Sequence, residues 1–172
     1  LCPQFHLSMQ SGCDTVLARM KRKYTTEEYM ESLERLRNAF PGCAITTDMI
    51  VGFPGETEEE FEKSLSFIRQ CRFADMHIFP YSRRPGTPAA EMPGQLPNAV
   101  KEERSHRAIA VAQDMNETYR RGLIGTAQAV LVEGMEGEHS VGHAMNYVKI
   151  YIPGAYPRNE IQTVAVKSLY GD

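Results

Sequence analysis

The sequence has no tryptophan, no long apolar run and no large excess of charge of either sign. A membrane-spanning helix needs about 18 or more consecutive apolar residues. Because no such run and no signal peptide are visible, we predict no membrane association and a cytoplasmic location. The formal net charge is only −3 over 172 residues, so any binding of nucleic acid must rest on local patches.

Closely spaced cysteines are also lacking, since the four that are present lie far apart in the chain: Cys2, Cys13, Cys43 and Cys71. Without a C-x-x-C pair or a His/Cys cluster, the sequence predicts neither a metal site nor a disulfide framework. No nucleophile–base pair stands out, so catalytic residues are not identified. If the protein is an enzyme, we expect a cofactor to supply the difficult chemistry.

What the sequence does contain, first, is a threefold alternation of strand and helix patterns. Capping boxes at Thr25 with Glu28 and at Thr57 with Glu60 each precede an apolar stripe at helical spacing. Successive strand–helix units predict parallel strands with right-handed crossovers. Three units cannot close a barrel, so we expect further strands of this sheet outside the sequence. The strand patterns cover 5–9, 44–52 and 76–81.

The pattern changes after Gly122, where helical stripes end and strand patterns follow one another. "GMEGE" and "PGAYPRNE" supply turn residues between them. We predict a small antiparallel β module resembling a partial OB-type barrel. The predicted division is therefore an α/β domain over 1–121 and a β module over 122–172, with strands at 126–133, 141–152 and 161–169.

The stretch "TTDMIVGFPGET", residues 46–57, runs from a strand through two glycines into a helix start. Such strand–helix junctions commonly hold ligands in α/β proteins. A helix N-terminus attracts phosphate, but the four glutamates between 56 and 60 favour a positively charged or neutral ligand instead. The alternative is a turn that needs glycine for steric reasons alone.

Polar residues cluster near the carboxyl ends of all three predicted strands, and such ends converge on one mouth. Two basic segments, 19–23 and 83–84, would flank that mouth and suit an anionic substrate, or they are simply solvated. In the β module, exposed tyrosines indicate either base stacking or packing. The polar candidates at the mouth are His6, Ser8, Gln10, Ser11, Thr47, Asp48, His77, Tyr81 and Ser82.

Four colinear stretches resemble the C-terminal part of the radical-SAM methylthiotransferases: "FHLSMQSGCDTVLARMKRKYT", "AITTDMIVGFPGETEEEF", "MHIFPYSRRPGTPAAEM" and "VGHAMNYVKIYIP". Within that family they look most like the branch that acts on threonylcarbamoyladenosine in tRNA. The branch that acts on isopentenyladenosine remains an alternative. So does a non-catalytic RNA-binding protein with a scaffold half-barrel.

The resemblance implies an α/β fold, namely the C-terminal half of a radical-SAM partial (β/α)6 barrel followed by a TRAM module, which is OB-like. It implies an enzyme that adds a methylthio group to C2 of N6-threonylcarbamoyladenosine next to the anticodon, with the tRNA anticodon stem-loop as partner. The implied cofactors are S-adenosylmethionine and two 4Fe–4S clusters. The C-x-x-x-C-x-x-C motif of the radical-generating cluster is absent, so we expect the cluster ligands outside this chain and the chain alone to be inactive.

The resemblance also assigns roles by position. Arg22 would meet the methionine carboxylate of the cofactor, and the glutamates that follow the glycine-containing elbow, residues 52–55, would lie beside its sulfonium. Asp48, in a nearly apolar strand end, requires a partner: either a structural arginine or backbone amides, or the ligand's ribose hydroxyls or ammonium group. The predicted cofactor-binding residues are Gln10, Ser11, Arg22, Asp48, Gly52 and Tyr81; the predicted RNA-binding residues are Arg83, Arg84, Tyr147, Lys149 and Arg158.

Overall fold

Two separate β-sheets organise the chain in a computed structural model, which describes residues 2–170. The strands are β1 Gln4–His6, β2 Ala44–Val51, β3 Asp75–Pro80, β4 Ala127–Glu136, β5 His139–Ala144, β6 Lys149–Pro153 and β7 Ile161–Ala165. The helices are α1 Asp14–Arg19, α2 Thr26–Ala39, α3 Glu58–Cys71, α4 Pro88–Glu91 and α5 Asn98–Arg121.

The first sheet contains β1, β2 and β3 in chain order, and both pairings are parallel. The second sheet is antiparallel, with the order β6-β5-β4-β7. The predicted succession of a parallel α/β part and an antiparallel β part is therefore confirmed. Its division into independent domains and the TRAM identity of the second part stay predictions.

The side chains of strand β2 point to two different faces of the first sheet, one covered by helices and one open. Ile45, Met49 and Val51 are at most 1% exposed and belong to the core formed with helices α2, α3 and α5. Because strand side chains alternate, Thr46, Asp48 and Ile50 point to the other face. Asp48 lies on that face, where it pairs in register with His77 of β3.

Both predicted capping boxes form at the starts of α2 and α3. Thr25 and Glu28 exchange hydrogen bonds between side chain and backbone in both directions, and Thr57 and Glu60 do the same. These contacts satisfy amides that have no partner within the helix. The local sequence signal therefore places both helix starts correctly.

Several local features differ from the sequence-based expectation. The predicted strands 5–9 and 161–169 are shorter in the structure, at Gln4–His6 and Ile161–Ala165. Helices α1 and α4 are too short to show a repeating apolar stripe and were not predicted. The predicted strand 141–152 is a hairpin, because the chain reverses between β5 and β6 with Tyr147 at φ 63°. The apolar alternation continues across this reversal and hides it. No helix within residues 2–170 is long and apolar enough to cross a membrane.

Candidate functional site

Backbone hydrogen bonds bring the three strand ends together at one edge of the parallel sheet. The amide of Gln10 donates to the carbonyl of Asp48 at 2.9 Å, and Ile50 donates back to Gln10 at 2.9 Å. On the other side, the amide of Tyr81 donates to Val51 at 2.8 Å. We call the edge formed by Gln10, Asp48 and Tyr81 the mouth.

Gln10 adopts an uncommon backbone conformation at the end of the first strand. Its φ is 68°, in the left-handed region that favours glycine, and such a conformation costs on the order of 1 kcal/mol or more. Its side chain is half-buried, and within residues 2–170 the side-chain carboxamide has no hydrogen-bond partner. The amide is therefore available to a ligand.

Asp48 belongs to a polar network on the open face of the sheet. Its Oδ2 lies 3.2 Å from Nε2 of His6 and 3.4 Å from Oγ of Ser8, and the His6 ring also lies 3.0 Å from Oγ1 of Thr46. The Asp48 side chain is 27% exposed. Within residues 2–170, neither an arginine nor a backbone amide is among its partners, and the alternative of a ligand partner stays a prediction. Oδ1 has no hydrogen-bond partner within the described residues.

Ser11 does not face the mouth with its side chain. It is 0% exposed, and its hydroxyl lies 3.3 Å from the hydroxyl of Ser64 on α3 while accepting from the amide of Cys13 at 3.3 Å. These contacts attach the turn after β1 to α3. The Ser11 hydroxyl therefore has a structural role, and binding of a cofactor by Ser11 stays a prediction.

Gly52 lies under helix α5 rather than open to solvent. It is buried, and its φ is 71°. A Cβ at this position would come within 2.3 Å of Cγ of Lys101. Its amide donates to Oε2 of Glu56 at 2.7 Å. Both the backbone conformation and the close approach require glycine here.

The remaining two predicted cofactor-binding residues differ in their surroundings. The ring of Tyr81 packs edge-on against Phe53 with centroids 5.4 Å apart, which makes it an apolar wall beside the mouth. Arg22 is exposed in the loop between α1 and α2. No hydrogen bond or ion pair within residues 2–170 joins its guanidinium group to the mouth.

The four glutamates after the elbow are paired with basic side chains of the protein. Glu56 contacts Arg104 at 2.7 Å, and Glu58 contacts both Arg104 and Arg107, at 3.1 and 2.6 Å. Closer to α1, Glu60 binds Arg19, while Glu59 binds Lys63 within α3. These acids therefore already have basic partners within the protein, and their placement beside a positively charged ligand stays a prediction. Most of their partners are remote in sequence, so no local pattern could reveal them.

The environments of two of these carboxyl groups shift their acidity in opposite directions. Burial raises the pKa of Glu56, although the amide of Gly52 and the guanidinium of Arg104 act against this shift. Hydrogen bonding from Arg19 lowers the pKa of Glu60 to about 2, and further hydrogen bonds from Thr15 and the backbone of Thr57 add to it.

The predicted RNA-binding residues lie in three places. Arg83 and Arg84 are exposed in the segment after β3, with Arg83 3.9 Å from Glu91. Tyr147 is 65% exposed in the β5–β6 turn, two residues before Lys149. Arg158 is exposed in the loop beyond the other end of β6, so these residues do not form one compact cluster.

Lys149 also belongs to an aromatic cluster that the sequence did not reveal. Its Nζ lies 2.6 Å from Glu136 and 5.0 Å from the ring centroid of Tyr151. The ring of Tyr151 stacks on Tyr170 at 3.7 Å, with His139 edge-on to both. Tyr170 lies outside the predicted strands, so only the tertiary fold brings these rings together.

The cysteines of this chain do not form a ligand set for an iron–sulfur cluster. Cys13, Cys43 and Cys71 are buried, and Cys2 is exposed. Burial raises the pKa of Cys71 to about 12, which disfavours the thiolate that binds metals. Over residues 2–170, no three His, Cys, Asp or Glu side chains lie close enough to hold a metal ion.

Comparison with known proteins first defines the class of this fold. Residues 2–68 match the radical SAM superfamily. The solved structure of coproporphyrinogen III oxidase (HemN) from Escherichia coli, described as a radical SAM enzyme, superposes with a TM-score of 0.57 at 15% identity. The match covers 82% of this chain and 40% of that chain. The chain therefore shares its fold with a solved radical SAM enzyme, and its first 68 residues include the match to that superfamily.

Sequence relatives narrow this class further. A tRNA-2-methylthio-N(6)-dimethylallyladenosine synthase from Mycobacterium bovis is 50% identical over 80% of this chain and 27% of its own length. The threonylcarbamoyladenosine tRNA methylthiotransferase MtaB of Bacillus subtilis is 41% identical over 94% of this chain and 40% of its own length. These matches confirm the resemblance to the radical-SAM methylthiotransferases. The chain spans less than half the length of either relative.

Proposed function

We propose that this chain is part of a radical-SAM tRNA methylthiotransferase that adds a methylthio group to C2 of N6-threonylcarbamoyladenosine next to the anticodon. The relative named for that substrate matches 94% of the chain, including the β module, which supports this branch. The second candidate is the isopentenyladenosine branch, because relatives named for the dimethylallyl substrate reach 50% identity over 80% of the chain.

One observation at the mouth carries the cofactor part of the proposal. Gln10 and Asp48 present an amide group and a carboxylate oxygen without protein partners, on backbone segments that are directly hydrogen-bonded to each other. A carboxylate oxygen suits the ribose hydroxyls or the ammonium group of S-adenosylmethionine, and a free amide can both donate and accept. These residues therefore fit a nucleoside cofactor.

Within that site, each residue has a distinct proposed task. Asp48 accepts from the cofactor while His6 and Ser8 hold its other oxygen in place. Gln10 orients the nucleoside, and the ring of Tyr81 supplies an apolar wall. Arg22 binds the methionine carboxylate. Gly52 sets the backbone conformation at the end of β2. S-adenosylmethionine, when bound beside an iron–sulfur cluster, supplies the radical chemistry.

The cluster ligands are proposed to lie in the part of the enzyme that this chain does not include. The widely spaced, mostly buried cysteines fit no cluster, so we assign no cluster-binding role to any residue of this chain. Two 4Fe–4S clusters in the whole enzyme, and inactivity of this chain alone, remain parts of the proposal.

The tRNA anticodon stem-loop is the proposed partner, in the cytoplasm. Arg83 and Arg84 are exposed after β3, close in sequence to Tyr81 at the mouth. In the TRAM-like β module, Tyr147 offers an exposed ring for stacking and Lys149 and Arg158 offer positive charge. The proposal therefore places RNA contacts on both parts of the chain.

Mass spectrometry of tRNA nucleosides tests the function directly. Cells that lack the gene encoding this chain should lose the methylthio form of threonylcarbamoyladenosine, while the unmodified nucleoside accumulates. Loss of the methylthio form of isopentenyladenosine instead would support the second candidate. An unchanged content of both methylthio nucleosides would contradict either enzyme activity and favour a non-catalytic RNA-binding protein.

A further inference from the structure

A buried ion pair attaches the elbow, residues 52–55, to helix α5. The side chains of Glu56 and Arg104 are 0% and 4% exposed, and their closest charged atoms lie 2.7 Å apart. Arg104 also donates to the backbone carbonyl of Glu56 at 3.0 Å and to the carboxylate of Glu58 at 3.1 Å. One guanidinium group thus holds three acceptors around the start of α3.

Glu56 passes this restraint on to the end of β2. Its Oε2, which accepts from Arg104, also accepts from the amide of Gly52 at 2.7 Å. Gly52 directly follows β2 and holds a left-handed conformation with φ 71°. The position of Arg104 therefore determines where the carboxylate holds the backbone immediately after the mouth.

Helix α5 contacts the same region at a second point, one turn earlier. Nζ of Lys101 donates to the carbonyl of Tyr81 at 3.1 Å, and the Lys101 side chain lies directly over Gly52. Residues three apart in a helix lie on one face, so Lys101 and Arg104 act from the same side. This face of α5 holds the ends of β2 and β3 in a fixed relation.

The pair is poorly suited to a purely stabilising role. Replacing a buried ion pair by apolar side chains of similar volume is often neutral or even stabilising. Here, moreover, Oε1 of Glu56 and Nε of Arg104 are buried and find no hydrogen-bond partner among residues 2–170. What an arginine does supply is a planar fork that fixes several acceptors in one geometry.

We infer that Arg104 is a positioning residue, which acts through Glu56 on Gly52 and thereby sets the shape of the mouth. The consequence for ligand affinity rests on the proposed function, whereas the restraint on Gly52 does not. The residue touches neither cofactor nor substrate in this arrangement. Its effect on ligand binding is transmitted by two hydrogen bonds.

The test compares Arg104→Met, the double variant Glu56→Leu with Arg104→Met, and the control Arg107→Met in this 172-residue chain. Arg107 also pairs with Glu58 and also lies over Phe61, but the structure gives it no contact with Glu56 or Gly52. Three quantities are measured: melting temperature, amide exchange of Gly52 by NMR, and the affinity for S-adenosylhomocysteine by calorimetry.

We expect Arg104→Met to lower the melting temperature, because it leaves a carboxylate buried and unpaired, and the double variant to recover much of that loss. In both, Gly52 should exchange roughly tenfold faster or more, since its amide loses a restrained acceptor. Affinity for S-adenosylhomocysteine should stay roughly tenfold weaker in the double variant. Arg107→Met should leave the Gly52 exchange and the affinity unchanged.

The inference would be overturned if the double variant regained all three properties of the unmodified chain: its melting temperature, its slow Gly52 exchange and its affinity for S-adenosylhomocysteine. The ion pair would then have a structural role only. If the double variant does not fold, Arg104→Lys is used instead, since it keeps the positive charge but not the planar guanidinium fork. Unchanged Gly52 exchange in this variant overturns the inference, and faster exchange supports it. If the unmodified chain does not bind S-adenosylhomocysteine, the proposed cofactor site fails, and the Gly52 exchange alone decides the positioning role.

Discussion

Glu60 provides the sharpest test of how the structure stabilises the start of helix α3. Its two carboxylate oxygens accept from Arg19 at 2.9 and 2.6 Å, from the hydroxyl of Thr15 at 2.5 Å and from the amide of Thr57 at 2.9 Å. The side chain is only 13% exposed. One carboxylate thus joins α1 to α3 and completes the capping box.

The size of this contribution follows from the pKa of Glu60, which Arg19 lowers from the ordinary value of 4.5 to about 2. Each tenfold change in proton affinity is worth about 1.4 kcal/mol, so the charged form contributes about 3 kcal/mol to folding. Because the folded-state pKa is the lower one, this contribution is present above pH 4.5 and is lost as the pH falls to about 2.

Urea unfolding of the chain and of Glu60→Gln, repeated from pH 6 to pH 2, measures this contribution. Glutamine also suits this position of a capping box, so the variant keeps the shape and loses the charge. We expect it to be about 3 kcal/mol less stable at pH 6, with the difference closing as the pH approaches 2. A difference between the two proteins that does not depend on pH would refute the reasoning.

Three further outcomes are expected. Asp48→Asn should change stability by less than about 1 kcal/mol, because the pair with His6 is partly exposed. Calorimetry of the cluster-containing enzyme should find S-adenosylmethionine binding weakened roughly tenfold or more. Unchanged affinity with a lowered melting temperature would contradict the proposed role of Asp48. Lys149→Ala with Arg158→Ala should lower tRNA affinity without unfolding the β module, and affinity that does not vary across a salt titration would count against an electrostatic surface. Reconstitution of this chain with iron and sulfide should give no stoichiometric 4Fe–4S cluster, and the broad absorbance of a stable cluster would show that its cysteines do suffice.

The parts of the fold that could be predicted are those with signals confined to a few neighbouring residues. The predicted strand 44–52 agrees with β2 to within one residue. Likewise, Thr25 and Thr57 begin their helices as predicted. For the capping boxes, the residues that determine the structure lie within four positions of one another, so the local sequence contains the whole interaction.

Contacts between remote residues could not be predicted in the same way. Arg104 lies 48 positions after Glu56, and nothing in a single sequence marks the two as partners. The same holds for Ser11 and Ser64, which are 53 positions apart. The sequence-based assignment of ligands to the acids after Gly55 and to Ser11 could not take these protein partners into account.

Asp48 differs from these cases, because a local rule was sufficient to place it. Ile45, Met49 and Val51 are core residues, and a strand alternates with a period of two residues. Position 48 must therefore lie on the opposite face, with Thr46 and Ile50. The apolar appearance of the strand end suggested burial, but the alternation of the strand decides which face the carboxylate occupies.

Helix α5 connects the two parts of the proposed function physically. Lys101 and Arg104, near its start, hold the strand ends at the mouth. Near its end, the hydroxyl of Tyr119 donates to the carbonyl of Gly42 at 3.1 Å and accepts from Asn146 of the β5–β6 turn at 3.2 Å. A helix of 24 residues is about 36 Å long. Helix α5 therefore contacts the parallel part of the chain near both of its ends, and near its C-terminal end it also contacts the β5–β6 turn. If the proposed function holds, this helix fixes the spacing between the proposed cofactor site and the proposed RNA surface.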